Sequence, residues 1–205
     1  YPTFDPNRYK EFSQDFITNR AVQNLYSPGS VFKLVTYSAA LEEKLITPSE
    51  MLDCGKGIIK VAGREFSDKH CVKSISYNEA MAVSSNIGAI KTAQKVGKEN
   101  FYTYIRSFGF GDVTGIELPA EARGQVRPPE NWFGDSLASL SIGYEINVTA
   151  LQSAVAYATI ANDGVRVSPH TIKEIRQSDG TVFKATEPEK VRIVSPETAR
   201  SLRSM

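Results

Sequence analysis

A serine and a lysine stand three residues apart at the start of an apolar helix, in the segment PGSVFKL at residues 28–34. Proline and glycine do not continue a preceding helix, so the pattern predicts a turn and then a new helix from Ser30 to about Leu45. Apolar residues cover nearly every face of that helix, which is typical of a helix buried inside a domain. The rest of the chain must therefore fold around this segment.

Ser30 and Lys33 have the spacing that acyl-transfer chemistry needs. Residues i and i+3 share a helix face, so the Lys33 amine is predicted to reach the Ser30 hydroxyl. Burial favours the neutral amine, which can take the serine proton as a general base. Unpaired N–H groups in the first helical turn can stabilise developing negative charge. A serine at a helix start is also a common N-cap, so the pair alone leaves both interpretations open.

A second polar cluster, Ser84-Ser85-Asn86, follows a short predicted helix that begins with a capping box at residues 76–79. Three small polar residues favour a break between helices, and residues 87–96 then resume a helical pattern. The simpler interpretation is a helix joint capped by Ser85 or Asn86. Beside Ser30 and Lys33, the same corner offers the Ser84 hydroxyl for proton transfer and the Asn86 amide for holding a peptide group.

Composition and charge exclude several classes of function. The 205 residues are 41% hydrophobic and 23% charged, which is ordinary for a globular domain with a real core. The net charge of +1 is scattered, so nucleic acid binding is not expected. His70 and His170 lie far apart, and the chain has no zinc motif and no phosphate-binding glycine loop. We therefore predict neither a metal site nor a cofactor.

The two cysteines flank a predicted hairpin. The strand-like segments around residues 62–63 suggest a two-residue turn, in which Val61 would pair with Arg64. The same register places Cys54 opposite Cys71, so a disulfide is geometrically possible. Two reduced, buried cysteines remain the alternative.

The remaining patterns predict scaffold. A capping box at residues 149–152 precedes a helix at 153–161, and a hairpin is predicted for residues 171–176 and 181–185. Residues 195–198 predict the N-cap of a last helix that runs towards Met205. The acidic side chains of Glu42 and Glu43 are expected on solvated faces. Trp132 and Phe133 are expected to cover the core or a cleft.

The two polar motifs, taken together, resemble those of the penicillin-binding transpeptidases, which share a fold with serine β-lactamases. The class B D,D-transpeptidases are the most similar type. Residues 28–33 resemble the first motif of this family and residues 84–86 the second. Residues 1–7 resemble a strand that leads into the family's domain, and residues 108–111 and 114–119 resemble a later loop. Nearly the whole chain is covered, but Glu145 and Ala150 stand where glycine and proline are expected.

The resemblance implies a mixed α/β (α+β) fold, with a helical subdomain and part of an antiparallel sheet. Residues 1–205 would be a partial transpeptidase domain. The family's third motif, a lysine followed by threonine or serine and then glycine, is not found in the sequence. We therefore expect that the C-terminal strands are missing, and that the isolated chain is a poor catalyst because the oxyanion hole is incomplete.

The resemblance also implies a function for each residue of the two motifs. Ser30 would be the nucleophile, Lys33 its base, Ser84 a proton relay and Asn86 a ligand of the donor peptide. The expected partners are peptidoglycan stem peptides, β-lactam antibiotics and other proteins of cell-wall synthesis or division. The expected location is the extracytoplasmic face of the bacterial cytoplasmic membrane, with any anchor outside these residues. A disulfide would suit that oxidising compartment.

Three other functions stay open. A serine β-lactamase would hydrolyse its acyl-enzyme quickly, although the matches at residues 1–7 and 114–119 favour a transpeptidase. A β-lactam sensor domain would acylate without cross-linking. A non-catalytic binding module in a cell-wall assembly would fold normally and would not be acylated at all.

Overall fold

The computed structural model describes residues 3–205, which form a mixed fold of helices and short strands, as predicted. The α-helices in this range are α1 (Gln14–Ile17), α2 (Arg20–Gln23), α3 (Lys33–Glu42), α4 (Tyr77–Ala82), α5 (Asn86–Val96), α6 (Lys98–Ser107), α7 (Ser136–Ser141), α8 (Ala150–Ala161) and α9 (Pro196–Ser204). The strands are β1 (Met51–Gly55), β2 (Ile58–Val61), β3 (Arg64–Ser67), β4 (Lys73–Ser76), β5 (Gln125–Val126), β6 (Ile146–Asn147), β7 (Val165–Val167), β8 (Glu174–Arg176), β9 (Val182–Ala185) and β10 (Lys190–Arg192).

The core is built around α3. Its residues from Lys33 to Ala40 are all buried, as the apolar pattern predicts. The helix packs against α5, α6 and α9. A 3₁₀ turn at Gly29–Phe32 leads into it, and the Phe32 ring meets the edge of Phe110 at a centroid distance of 5.2 Å. The predicted helix from Ser30 to about Leu45 is thus a 3₁₀ turn followed by an α-helix that ends at Glu42.

The strands of residues 3–205 form five antiparallel pairs: β1 with β4, β2 with β3, β5 with β6, β7 with β10, and β8 with β9. The β2–β3 hairpin has the predicted register, with Val61 opposite Arg64. Its turn residues Ala62 and Gly63 both have positive φ, at 48° and 85°. Two-residue hairpin turns require this backbone, which explains why the alanine-glycine pair marked the turn.

Cys54 and Cys71 form a disulfide in the structure, so the first of the two predicted alternatives is observed. The bond joins β1 to the segment that follows β3. The closed loop therefore holds the whole β2–β3 hairpin and residues 68–70.

Capping explains the boundaries of two further helices. The Thr149 hydroxyl accepts the Gln152 main-chain N–H, and the Gln152 side chain accepts the Thr149 N–H, which completes the predicted capping box of α8. Ser195 caps α9, and Pro196 occupies its first helical position. The β8–β9 hairpin is present, but β8 begins at Glu174 and is shorter than predicted.

The start of the chain differs from the strand that the resemblance suggested. Tyr1 and Pro2 lie outside the described residues. Thr3 to Asp5 form no strand, and Pro6–Glu11 forms a 3₁₀ helix. The Asp5 carboxylate accepts the Asn7 N–H at 2.9 Å, so a local cap followed by proline starts a helical turn here.

The expectation of a solvated Glu42 was wrong. Its carboxylate accepts both the N–H and the hydroxyl of Ser195 at 2.9 Å and so ties α3 to α9. Phe133 does not cover the core, since 67% of the residue is exposed, and its place over a cleft stays a prediction. Its neighbour Trp132 does pack against the core.

Among residues 3–205, no helix combines the length and the apolar character that crossing a bilayer requires.

Candidate active site

Ser30 lies in the 3₁₀ turn just before α3, and it is exposed. Gly29, directly before it, has a φ of +56°, a conformation that favours glycine. The Gly29 N–H donates to the Gly143 carbonyl at 3.1 Å. Ser30 therefore lies at the surface in a turn whose backbone is held by the hydrogen bond to Gly143.

Lys33 lies one helical turn further on and is 3% exposed, so the prediction of a buried lysine is confirmed. Its Nζ donates to the main-chain oxygen of Ser84, to Ser84 Oγ at 3.1 Å and to Asn86 Oδ1 at 2.8 Å. The structure thus brings together three of the four residues that the sequence singled out. The predicted hydrogen bond to Ser30 is not formed, because all three N–H groups of the ammonium point to Ser84 and Asn86.

These partners suit a lysine that gains and loses a proton. The Ser84 carbonyl and Asn86 Oδ1 can only accept, so they hold two N–H groups whether the lysine is charged or neutral. The Ser84 hydroxyl can accept from the ammonium or donate to the lone pair of the amine. After deprotonation, the free position of Nζ is thus open to a hydroxyl, either that of Ser84 or that of Ser30.

The surroundings move the pKa of Lys33 towards neutrality. Burial lowers the pKa of Lys33, and the charge of the Asp68 carboxylate raises it by a smaller amount. The resulting pKa of Lys33 is about 8. About one lysine in ten is then neutral at pH 7. A lysine in water would be neutral far less often.

The Ser84-Ser85-Asn86 corner joins α4 to α5. Ser84 has a φ of 57°, in the left-handed region that non-glycine residues seldom adopt. Ser85 is buried and caps α5, with its hydroxyl accepting the Gly88 N–H at 2.8 Å. Asn86 is the first residue of α5, so of the two predicted caps Ser85 is the one observed. The left-handed turn directs Ser84 and Asn86 to the same lysine.

Asp68 belongs to this site, although sequence reasoning missed it. It is only 8% exposed, and its Oδ2 accepts the Ser85 hydroxyl at 2.6 Å and the Ile87 N–H at 3.2 Å. Oδ1 accepts the His70 N–H at 2.9 Å. Burial alone raises the pKa of Asp68, but these hydrogen bonds outweigh it and hold that pKa below its ordinary value. Asp68 is therefore an anion at neutral pH.

The two positions that depart from the family pattern keep the expected backbone. Glu145 has a φ of 59°, the region that glycine favours, and its carboxylate binds Arg127 and the Ser136 hydroxyl. Ala150 is the first residue of α8, where proline is well tolerated. Both positions thus have a backbone that the expected glycine and proline would also accept.

No group of three or more His, Cys, Asp or Glu side chains within the described part of the chain is placed to hold a metal ion.

Comparison with known families agrees with this geometry. Residues 1–205 match the family model described as the penicillin binding protein transpeptidase domain. The chain belongs to the penicillin-binding protein transpeptidase family. Membership confirms the resemblance that the two motifs suggested, and with it the mixed fold.

Relatives and solved structures in this family are similar over nearly the whole chain. The penicillin-binding protein PbpB of Mycolicibacterium smegmatis is 42% identical over 99% of the chain. The probable peptidoglycan D,D-transpeptidase PbpC of Pseudomonas aeruginosa is 28% identical over 94% of it. The crystal structure of penicillin binding protein 3 from Mycobacterium tuberculosis, complexed with aztreonam, superposes with a TM-score of 0.88 at 36% identity, covering 98% of this chain and 44% of that one.

The chain spans 32% of the Mycolicibacterium smegmatis relative and 34% of the Pseudomonas aeruginosa relative, about a third of each penicillin-binding protein.

Proposed function

We propose that the protein containing this chain is a peptidoglycan D,D-transpeptidase, and that residues 1–205 are part of its transpeptidase domain. One observation carries the proposal: buried Lys33 lies one turn after exposed Ser30 and is held by Ser84 and Asn86. The name of the Pseudomonas aeruginosa relative states this activity for that protein.

In the proposed acylation, Lys33 takes the proton of Ser30 while Ser30 Oγ attacks the carbonyl between the two terminal D-alanines of a stem peptide. The C–O bond to Ser30 forms and the C–N bond breaks. The D-alanine amine leaves with a proton that passes from Lys33 through the Ser84 hydroxyl. Asn86, half-buried beside Lys33, holds the donor peptide's amide group.

In the second half, the amine of a neighbouring stem peptide attacks the ester. Lys33, neutral again, takes the proton from this amine as the new amide bond forms, and passes it to Ser30 Oγ as the ester C–O bond breaks. A β-lactam presents the same kind of carbonyl in a strained amide, and its opened ring stays attached to Ser30. Aztreonam and ampicillin are the ligands named for two crystal structures of the Mycobacterium tuberculosis protein.

We also propose that the protein works on the extracytoplasmic side of the membrane with other proteins of cell-wall synthesis or division. The Cys54–Cys71 disulfide supports that side, because such bonds persist in oxidising compartments.

Labelling with a fluorescent penicillin tests the proposal. The intact protein that contains residues 1–205, its Ser30→Ala variant and the matched control Ser178→Ala are each incubated with the reagent. Ser178 is exposed in the β8–β9 turn, far along the chain from the motifs. We expect one covalent adduct, mapped to Ser30 by mass spectrometry, in the wild type and the control.

The outcomes separate the competing functions. Labelled Ser30→Ala refutes the assignment of the nucleophile. Rapid turnover of the penicillin, without a lasting adduct, indicates a β-lactamase. A lasting adduct without cross-linking of stem peptides indicates a sensor. A folded wild type that takes no label is a non-catalytic module.

A further inference from the structure

The Asp68 carboxylate contacts the site through two residues that no step of the proposed reaction uses. It accepts hydrogen bonds from the Ser85 hydroxyl and the Ile87 N–H, which are the chain neighbours of Asn86. Ser85 lies between Ser84 and Asn86 in the chain, so the carboxylate holds the middle of the corner while both outer residues face the lysine.

We infer that Asp68 is a positioning residue for the acylation step, which fixes the Ser84-Ser85-Asn86 corner in the geometry that engages Lys33. The inference rests on the proposed transpeptidase function. Left-handed backbone at a non-glycine residue persists only where surrounding contacts over-determine it, and Ser84 has this backbone. The two Asp68 bonds beside it supply that constraint.

Asp68 also acts on Lys33 through its charge. The carboxylate is the group whose field raises the pKa of Lys33 against the effect of burial. Titratable groups near this pair include Tyr37 of α3, with Tyr77 of α4 beside it, and Lys69 and His70, which follow Asp68 in the loop. Burial raises the pKa of the Tyr37 phenol, so this group stays neutral across the working range. Asp68 is therefore the anion that sets the charge balance at the lysine.

The position of Asp68 is itself fixed by the turn between β1 and β2 and by the disulfide. Its main-chain N–H donates to the Gly57 carbonyl at 2.9 Å, and Cys71, three residues later, is bonded to Cys54. A side chain at Gly57 would lie 2.7 Å from the Asp68 main-chain oxygen, so only glycine allows this approach. These contacts leave the loop little conformational freedom and hold the Asp68 carboxylate next to the Ser84-Ser85-Asn86 corner.

Two substitutions separate position from charge. Asp68→Ala removes the bonds to Ser85 and Ile87, whereas Asp68→Asn keeps an oxygen that can accept them and removes the charge. We expect Asp68→Ala to lower the plateau rate of penicillin acylation at high pH about 10- to 100-fold, as misplacement of reacting groups does. We expect Asp68→Asn to move the rising limb of the pH–rate profile to lower pH, since loss of the anion lowers the pKa of Lys33.

The experiment uses the intact protein and measures the second-order acylation rate from pH 6 to 10, with urea unfolding of each variant. Asp68→Glu keeps the charge and should retain the wild-type limb. Asp179→Asn removes an exposed charge in the β8–β9 turn, and His70→Gln removes the nearby imidazole; both should leave the profile unchanged. A stable Asp68→Ala that keeps the wild-type plateau rate, or rate losses that only follow unfolding, overturns the inference. A stable Asp68→Asn with the wild-type limb refutes the effect of the Asp68 charge on Lys33.

A second measurement does not depend on activity. NMR titration of lysine labelled at Cε follows the protonation of Lys33 directly, and Asp68→Asn should lower its midpoint relative to the wild type. If the wild type is not acylated but this midpoint falls, the proposed function fails and the link between Asp68 and Lys33 stands. An unchanged midpoint refutes that link.

Discussion

At the scale of single residues, Ser84 meets two demands that usually fall on different amino acids. Its backbone, with a φ of 57°, has the conformation that glycine adopts without strain. Its hydroxyl lies 3.1 Å from Lys33 Nζ, and glycine has no such group. Serine at this position supplies the hydroxyl of the proposed proton relay but strains the backbone. Strained backbone of this kind is found at functional sites.

Substitution of Ser84 separates the two demands. Ser84→Gly and Ser84→Ala both remove the hydroxyl, so we expect both to lower penicillin acylation about 100- to 10,000-fold. Only glycine relieves the backbone, so Ser84→Gly should be more stable than Ser84→Ala by about 1 kcal/mol in urea unfolding.

The same pair of changes at Ser178, whose φ is not positive, is the control, and there glycine should be the less stable residue. Equal stability of the two Ser84 variants would contradict the strain argument. Wild-type acylation by Ser84→Gly would contradict the proton relay.

The sequence predicts the environment of a single residue where neighbouring residues in the chain determine it. Lys33 was identified by its spacing from Ser30 and by the apolar residues around it, and its burial is confirmed. Asp68 has no local signal, because it meets Ser85 only after the β2–β3 hairpin has folded back. Glu42 was taken for a solvated acid because its partner Ser195 lies near the other end of the sequence.

At the scale of elements, the disulfide loop connects the stability of a hairpin to the active site. The loop between Cys54 and Cys71 contains β2, β3 and Asp68. A bond that closes a loop of this length stabilises a fold by about 3 kcal/mol in the chain-entropy model. In that model the bond acts by restricting the unfolded chain, and in the folded protein it also anchors the segment that carries Asp68.

Removal of the bond tests this coupling. We expect the double variant Cys54→Ala/Cys71→Ala to lose about 3 kcal/mol of unfolding free energy in urea and to acylate more slowly at a temperature where it is still folded. A mild reductant should reproduce both effects in the wild type and change nothing in the double variant, which serves as the matched control. Unchanged unfolding in both cases would show that the bond contributes nothing to stability.

Elements were predictable where their boundaries depend on neighbouring residues. The β2–β3 hairpin turns at residues 62–63 as expected, and Gly63 adopts its positive φ there without strain. The capping box at residues 149–152 and the proline at residue 196 fixed helix starts because their contacts are local. The strand that the family likeness suggested for residues 1–7 was wrong at residues 3–7, because a local signal, the aspartate-proline pair that caps the 3₁₀ helix, decides the structure there.

At the scale of the whole molecule, one side of the nucleophile turn is held by residues more than a hundred positions later. Tyr26 exchanges two main-chain hydrogen bonds with Val148, at 3.0 and 2.9 Å. The Tyr157 hydroxyl donates to the Val31 carbonyl at 3.2 Å. Neither contact has a sequence signal, because each joins residues that lie more than a hundred positions apart in the chain. The sequence could therefore indicate Ser30 but not what holds it in place.

Gly143 packs directly against the backbone of Gly29, next to Ser30. Substitution of Gly143 therefore tests whether this long-range contact positions Ser30. A Cβ at Gly143 would lie 2.0 Å from the Gly29 carbonyl oxygen, and its φ of +80° disfavours any side chain. Gly180 has nearly the same φ, +84°, but nothing within 4 Å of its Cβ position. Gly143→Ala thus adds a clash with backbone to a strain that Gly180→Ala shares.

We expect Gly180→Ala to lower the unfolding free energy by about 1 kcal/mol with normal labelling of Ser30. Gly143→Ala should lose more than about 2 kcal/mol, because the turn at Gly29 must move. It should also label more slowly under conditions where urea unfolding shows it to be folded. If the two variants were equally stable and labelled alike, the nucleophile turn would be positioned by α3 alone, and the long-range contacts would be packing without a part in the chemistry.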